Sequence, residues 1–160
     1  MTATTKTKPK TKTVRLSSGA RVRLSADGRI QPAPELEWRL QAAAVTALKK
    51  LPSYESLFLL AGDMNAGKRN AAKAKSNGLT AGEPDLRIYI KGGRLLLLEL
   101  KAAKTPVSKD QRDRHKALAA LGHKVLLIRA GDGPEMAAKV CAAVAFELAW
   151  WGLVIDKDAA

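Results

Sequence analysis

Apolar residues recur along this chain with two different periods, and the alternation between them predicts the order of its elements. Leu36, Leu40, Ala44 and Leu48 fall on one face of a helix, so a helix is predicted over 34–51, where Pro52 ends it. Short apolar runs bounded by turn residues predict strands at 57–60, 86–90, 94–100 and 125–128, and helices are predicted over 108–121 and 134–151. The order helix, three strands, helix, strand, helix is typical of an α/β domain with a central mixed sheet.

The first thirty residues differ in pattern from the rest. Residues 1–13 are rich in Thr and Lys and are predicted to be a disordered basic arm, while 14–30 alternate weakly and carry two turn signals, which suggests a small hairpin. Residues 1–30 hold eight basic residues and one acidic residue, a net charge of +7. We therefore expect a basic flexible arm over 1–30 and a single domain over 31–160.

The composition narrows the classes of function. The chain has 160 residues and a formal charge of +13, so an anionic partner is expected, and nucleic acid fits better than a membrane because there is no span of apolar residues. One cysteine and two histidines are too few for a structural zinc site, so a bound metal is expected to be a hard cation held by oxygen. The absence of a signal sequence leads us to expect a cytoplasmic protein, or one acting on host-cell DNA if it is phage-borne.

Three ionisable residues stand where two predicted strands meet. Glu99 and Lys101 share one face of their strand because alternate residues of a strand point the same way. If the turn Lys91-Gly92-Gly93 takes three residues, Asp85 lies opposite Glu99; a two-residue turn would place it opposite Leu100. We predict the three-residue turn or an equivalent bulge. Two facing carboxylates make physical sense mainly as a cation site. For Glu99 and Lys101 the alternative is an exposed strand end with a surface salt bridge, and for Asp85 it is a residue that only ends the loop after Pro84.

These residues, with others in order along the chain, resemble the VRR-NUC family of the PD-(D/E)XK nuclease superfamily. The resemblance covers about residues 34–130 and rests on five segments: 37–41 (EWRLQ), 65–69 (NAGKR), 82–85 (GEPD), 99–101 (ELK) and 108–111 (SKDQ). It implies a restriction-endonuclease-like core, with a four-stranded mixed sheet flanked by helices. Glu83 departs mildly from the family, where this position is often small or apolar.

The resemblance also implies a set of site residues. Asp85 and Glu99 would bind Mg²⁺ or Mn²⁺, with the backbone carbonyl of Leu100 as a further ligand and Glu37 completing the shell directly or through water. The ion would acidify a bound water and polarise the phosphate, and Lys101 would stabilise the attacking hydroxide or the charge that grows on the phosphate. For Glu37 the alternative is a solvated residue that complements the helix dipole, a role that Glu35 would serve equally well.

Two residues of the next helix have competing interpretations. Ser108 and Gln111 form a capping box, in which Gln111 bonds the backbone of the cap, yet Gln111 also lies on the helical stripe that faces the sheet and could touch the site. Both interpretations remain open from the sequence. His115, one turn further on, is interpreted as a histidine at the edge of the core or on the surface, and contact with substrate is the alternative.

The remaining expectations concern partners. The basic residues of the loop before the hairpin are expected to contact DNA phosphates, namely Lys68, Arg69, Lys73 and Lys75. The last helix ends in Trp150-Trp151 and is either core packing or a homodimer surface. The predicted function is a Mg²⁺-dependent endodeoxyribonuclease acting on branched, flapped or four-way-junction DNA. The alternatives are a restriction-like or nicking nuclease on ordinary duplex, or a non-catalytic nucleic-acid-binding protein that keeps the fold.

Overall fold

The computed structural model describes residues 12–17, 21–24, 29–32, 36–63, 76, 78 and 80–153. The chain divides into two compact units, one ending at residue 34 and the other beginning at residue 35. Within the described part, no helix has the length and apolarity that crossing a membrane requires.

The first unit contains a three-stranded antiparallel sheet. Its strands are β1 (Lys12–Arg15), β2 (Arg21–Leu24) and β3 (Ile30–Pro32), in the order β1-β2-β3. The predicted hairpin is present as β1 paired with β2, with Val14 opposite Val22. β1 begins two residues earlier than expected, inside the segment predicted to be disordered. β3 was not predicted, because three residues are too few to show an alternating pattern. Residues 1–11 of the predicted arm lie outside the described residues.

The second unit is an α/β domain built on a four-stranded mixed sheet. Its elements are α1 (Glu37–Leu48), β4 (Phe58–Gly62), β5 (Leu86–Ile90), β6 (Arg94–Ala102), α2 (Lys109–Ala120), β7 (Val125–Ala130) and α3 (Gly133–Trp150). The strand order is β4-β5-β6-β7. The first three strands are antiparallel, and β7 runs parallel to β6 because α2 carries the chain back across the sheet. The predicted fold class is therefore confirmed.

The hydrophobic core lies between one face of this sheet and the pair of helices α1 and α3. Helix α1 contributes Leu40, Ala44 and Leu48, and the matching stripe of α3 runs from Met136 to Leu148 at every fourth residue. Leu98 and Leu100 of β6 point into this core. Glu99 and Lys101 alternate with them and therefore face the opposite side, where α2 lies.

The hairpin between β5 and β6 has the register that the sequence predicts. Ile90 pairs with Arg94 and Leu86 with Leu98, so the turn is the three-residue loop Lys91–Gly93. Gly92 and Gly93 both have positive φ, at 85° and 76°, a region that glycine enters without steric cost. One residue beyond the last pair, the register places Asp85 opposite Glu99.

Element bounds differ from the predictions by one to three residues, and helix α1 differs most. α1 begins at Glu37 rather than at residue 34, with Leu36 as its N-cap, so Glu37 is the acidic residue of its first turn. Strands β4, β6 and β7 each end two residues later than predicted, and β4 also begins one residue later, because small or charged residues continue a strand once a neighbour pairs with it.

Candidate active site

Two charged side chains lie buried at the end of strand β6. Glu99 is 0% exposed and Lys101 is 6% exposed. The Lys101 ammonium bridges two carboxylates, with Nζ 3.2 Å from Glu99 Oε1 and 3.3 Å from Glu37 Oε2. The surface salt bridge that the sequence left open is therefore excluded for this pair. Glu37 comes from the first turn of α1, sixty-four residues away in sequence.

Asp85 is fixed between the two strands of the hairpin and helix α1. Its Oδ2 accepts a hydrogen bond of 2.7 Å from the backbone amide of Leu100. Its backbone carbonyl accepts from the side chain of Gln41 at 3.2 Å and from the amide of Asp63 at 2.9 Å. Since Gln41 is four residues after Glu37, one face of α1 holds both the backbone of Asp85 and the side chain of Lys101.

Gln111 takes both of the roles between which the sequence could not decide. Its Oε1 accepts from the Ser108 amide at 3.0 Å while the Ser108 hydroxyl accepts from the Gln111 amide at 3.2 Å, which completes the capping box. Its Nε2 donates to Glu99 Oε1 at 2.5 Å. An amide side chain can do this because its oxygen and its nitrogen serve different partners.

His115, which was left out of the residues predicted to act in the site, also lies beside Glu99. Its Nε2 lies 3.4 Å from Glu99 Oε2, the carboxylate oxygen that Gln111 and Lys101 leave alone. The signal in the sequence was its position four residues after Gln111, on the same helical face. A histidine at the edge of the core is thus also a neighbour of the buried carboxylate.

Burial and like charge dominate the electrostatics of this cluster. Burial, together with the charge of Asp85, raises the pKa of Glu99 to about 7, although Lys101 acts in the other direction. Burial also raises the pKa of Asp85. Burial opposes the charge of Lys101, but the carboxylates of Glu99 and Glu37 outweigh it and raise the Lys101 pKa. Three carboxyl groups thus share one ammonium group.

The His115 ring adds little positive charge to this balance. Burial lowers the pKa of His115, so the ring is neutral at neutral pH and its contact with Glu99 is not an ion pair there. The carboxyl groups of the cluster therefore outnumber its positive charges, and this favours binding of a further cation.

The donor atoms of the cluster fit such a cation. Among the described residues, the buried side-chain nitrogen and oxygen atoms without a hydrogen-bond partner are Glu37 Oε1, Glu99 Oε2 and His115 Nε2, and all three belong to this site. Buried polar atoms without partners are costly, and an ion that binds them removes that cost. In the same part of the chain, no group of three or more Asp, Glu, His or Cys side chains is arranged so that it could by itself hold a metal ion. The protein therefore offers part of a coordination shell, as is common for Mg²⁺, which keeps several waters.

Gly82 and Glu83 attach helix α2 to the hairpin. Gly82 has a φ of 80°, and a Cβ there would lie 2.7 Å from the amide nitrogen of Gln111 and closer still to the carbonyl of Asp110. Glu83 Oε2 accepts from Arg114 Nε at 2.7 Å, and its Oε1 is 3.4 Å from Arg87. Glu83 thus links Arg114 of α2 to Arg87 of β5 and holds α2 against the hairpin.

The predicted DNA contacts of the basic loop and the predicted ligand role of the Leu100 carbonyl both stay predictions. Lys68, Arg69, Lys73 and Lys75 lie outside the described residues, so their contact with DNA stays a prediction. Leu100 contributes its amide to Asp85, and the ligand role of its carbonyl also stays a prediction.

Comparison with known proteins supports the fold. The sequence matches no protein-family model and none of the curated proteins. Among solved structures, it is similar to a VRR_NUC domain protein with 19% sequence identity and a TM-score of 0.56, over 73% of this chain and 91% of that chain. This likeness shows the fold, which is a restriction-endonuclease-like α/β core with a four-stranded mixed sheet flanked by three helices.

Proposed function

We propose that this domain is a metal-dependent nuclease of VRR-NUC type in the PD-(D/E)XK superfamily, which hydrolyses phosphodiester bonds in branched, flapped or four-way-junction DNA. The observation that carries the proposal is the fully buried Glu99, which has one oxygen without a partner beside Asp85 and a buried lysine. The name of the structural neighbour and the formal charge of +13 add support from fold and from electrostatics.

A purely structural role for this cluster is a weaker explanation. Burying several carboxylates with one lysine costs free energy that apolar residues of similar volume would not cost. Strained or costly arrangements of ionisable groups are concentrated at functional sites. The cluster also lies at the ends of β5 and β6, between the first turns of α1 and α2, where a substrate can approach helix N-termini.

In the proposed site, Asp85, Glu99 and Glu37 hold Mg²⁺ or Mn²⁺, with the carbonyl of Leu100 as a further ligand. The bound ion supplies Lewis-acid chemistry, which polarises the phosphate and makes a water molecule more acidic. The amide of Leu100 donates to Asp85 and orients it, and Gln111 Nε2 donates to Glu99 Oε1 and orients that carboxylate. These fixed hydrogen bonds reduce the reorganisation that the carboxylates would otherwise undergo.

Lys101 has a separate task in this proposal. Its ammonium group is buried, held by two carboxylates, and kept charged by them. It would stabilise the attacking hydroxide or the negative charge that grows on the phosphate oxygens. The loop containing Lys68, Arg69, Lys73 and Lys75 would bind neighbouring phosphates.

A homodimer is part of the proposal, through the exposed aromatic pair at the end of α3. Phe146 and Trp150 stack with ring centroids 6.2 Å apart and are 64% and 71% exposed. Exposed aromatic side chains of this size are typical of protein interfaces. Two active sites in a symmetric dimer would suit paired cuts in branched DNA.

The test measures cleavage of labelled duplex, single strand, 5′ flap and four-way junction across a Mg²⁺ titration. Asp85→Asn and Lys101→Met should each lower cleavage by about a hundredfold or more. Lys139→Met is the matched control, because it also removes a lysine paired with a glutamate, but from the exposed face of α3. Circular dichroism of each variant shows whether it is folded.

The outcomes separate the candidate functions. Cleavage that persists in folded Asp85→Asn and Lys101→Met would refute the active-site assignment. Cutting of plain duplex as fast as branched DNA would favour the restriction-like or nicking alternative. Binding of DNA without cleavage in either Mg²⁺ or Mn²⁺ would favour the non-catalytic alternative.

A further inference from the structure

Helix α2 places two side chains against the same buried carboxylate. Gln111 and His115 are four residues apart and therefore lie on one helical face. Gln111 bonds Glu99 Oε1, whereas His115 Nε2 faces Glu99 Oε2 at 3.4 Å. The two carboxylate oxygens thus have different neighbours, one an amide donor and the other an imidazole nitrogen.

The contact between His115 and Glu99 is too long for a good hydrogen bond. N–H···O bonds have lengths of about 2.7–3.2 Å, and both atoms remain buried without any partner. Two donor atoms bound to one ion at about 2.1 Å lie about 3.0 Å apart in octahedral geometry and about 3.4 Å apart in tetrahedral geometry. The observed separation falls at the upper end of this range.

We propose that His115 Nε2 is a ligand of the same divalent cation as Glu99 Oε2. The inference rests on the proposed function, since it concerns the metal site of the proposed nuclease. It replaces the all-oxygen site expected from the sequence with one that contains a nitrogen ligand. Because imidazole suits transition-metal ions while Mg²⁺ prefers oxygen, the site binds ions such as Mn²⁺ or Co²⁺ more tightly than Mg²⁺.

The first test detects the nitrogen directly. Untagged protein carrying ¹⁵N-labelled histidine is loaded with Mn²⁺ in the absence of DNA, and pulsed electron paramagnetic resonance measures nitrogen coupling to the ion. The chain has only two histidines, so His123→Ala, which removes the exposed one after α2, is the matched control. We expect coupling in the wild type and in His123→Ala, and none in His115→Gln. Bound Mn²⁺ without nitrogen coupling in the wild type would overturn the inference, and so would coupling that persists in His115→Gln.

The second test separates a ligand from a residue that only positions Glu99. Calorimetry compares the affinities for Co²⁺ and Mg²⁺ in the wild type and in His115→Gln. Loss of a nitrogen ligand should weaken Co²⁺ binding by about tenfold or more and change Mg²⁺ binding by less than about threefold. An equal loss for both ions would mean that His115 only positions Glu99, and would overturn the inference. Melting curves check that His115→Gln is folded; if it is not, the wild-type resonance measurement decides alone.

Failure of this inference and failure of the proposed function give different results. Cleavage of DNA by a protein whose Mn²⁺ shows no nitrogen coupling would leave the nuclease standing and remove His115 from its ligands. Nitrogen coupling in a protein that cleaves no DNA would keep the ligand assignment and remove the nuclease. Absence of any Mn²⁺ binding would overturn both.

Discussion

Replacing Glu99 with Gln should stabilise the metal-free protein at alkaline pH. The substitution keeps the size of the side chain and leaves an oxygen that can accept from Lys101 or Gln111. It removes the negative charge of a carboxylate that is 0% exposed and lies beside Asp85. Few substitutions at a proposed catalytic residue are expected to raise stability, which makes this result informative.

The magnitude follows from the pKa of Glu99. Burial and Asp85 raise that pKa from 4.5 to about 7, which corresponds to about 3 kcal/mol of destabilisation of the charged form at pH 8. The substitution also replaces charge-assisted hydrogen bonds to Lys101 and Gln111 with weaker neutral ones. We therefore expect Glu99→Gln to raise the free energy of unfolding by about 1–3 kcal/mol at pH 8.

The gain should depend on pH with a defined sign. Because the pKa of Glu99 is higher in the folded state than in the unfolded state, the folded protein binds more protons between pH 4.5 and about 7. The stability of the wild type therefore falls as the pH rises through this window. Near pH 5 the folded wild type is itself protonated at Glu99, so the advantage of the variant should shrink to less than about 1 kcal/mol.

The assay is urea denaturation in EDTA at pH 5 and at pH 8. Glu135→Gln is the control, because the pKa of Glu135 is shifted in the opposite direction to that of Glu99. A backbone hydrogen bond from Gly131 and the neighbouring Lys139 lower the pKa of this exposed carboxylate. Its removal should leave stability unchanged or lower at pH 8. A Glu99→Gln variant that is no more stable than the wild type at pH 8, or equally favoured at both pH values, would refute the electrostatic account of the site.

Two further predictions concern the attachment and the cap of α2. Gly82→Ala should lower the free energy of unfolding by at least about 3 kcal/mol, because the new methyl group meets the backbone of α2 at a position with positive φ. Gly78→Ala is the control: it has a similar φ but open space around it, and should lower that free energy by about 1–2 kcal/mol. Equal losses of stability in thermal denaturation would contradict the close approach at Gly82. Gln111→Ala and Ser108→Ala should each lower the free energy of unfolding by about 1 kcal/mol, because each removes part of the capping box. Only Gln111→Ala also removes the hydrogen bond to Glu99, so only this variant should lower the rate of cleavage, by about tenfold or more. Equal cleavage rates in the two variants would mean that Gln111 acts only as a cap.

Local pattern predicted an α/β domain with a central mixed sheet, and the resemblance to a nuclease family added the four-stranded, restriction-endonuclease-like core. Strand and helix periods are set by backbone geometry, so the order of elements in the second unit could be predicted from the apolar positions. The turn Lys91–Gly93 supplied the register, since an odd number of loop residues at two glycines brings Asp85 opposite Glu99. Helix ends were less well predicted, because capping at Leu36 involves no side-chain signal.

The sequence by itself therefore determined which residues share a strand face or a helix face, and so placed Glu99 beside Lys101. It placed Asp85 opposite Glu99 only on condition that the turn takes three residues. Only the tertiary structure decided how far the faces of different elements stand from one another. In the tertiary structure, Glu37 Oε2 lies 3.3 Å from Lys101 Nζ, and His115 Nε2 lies 3.4 Å from Glu99 Oε2. Such distances depend on packing among helices and sheet, for example on the contact of Gly82 with α2, and periodicity carries no information about them.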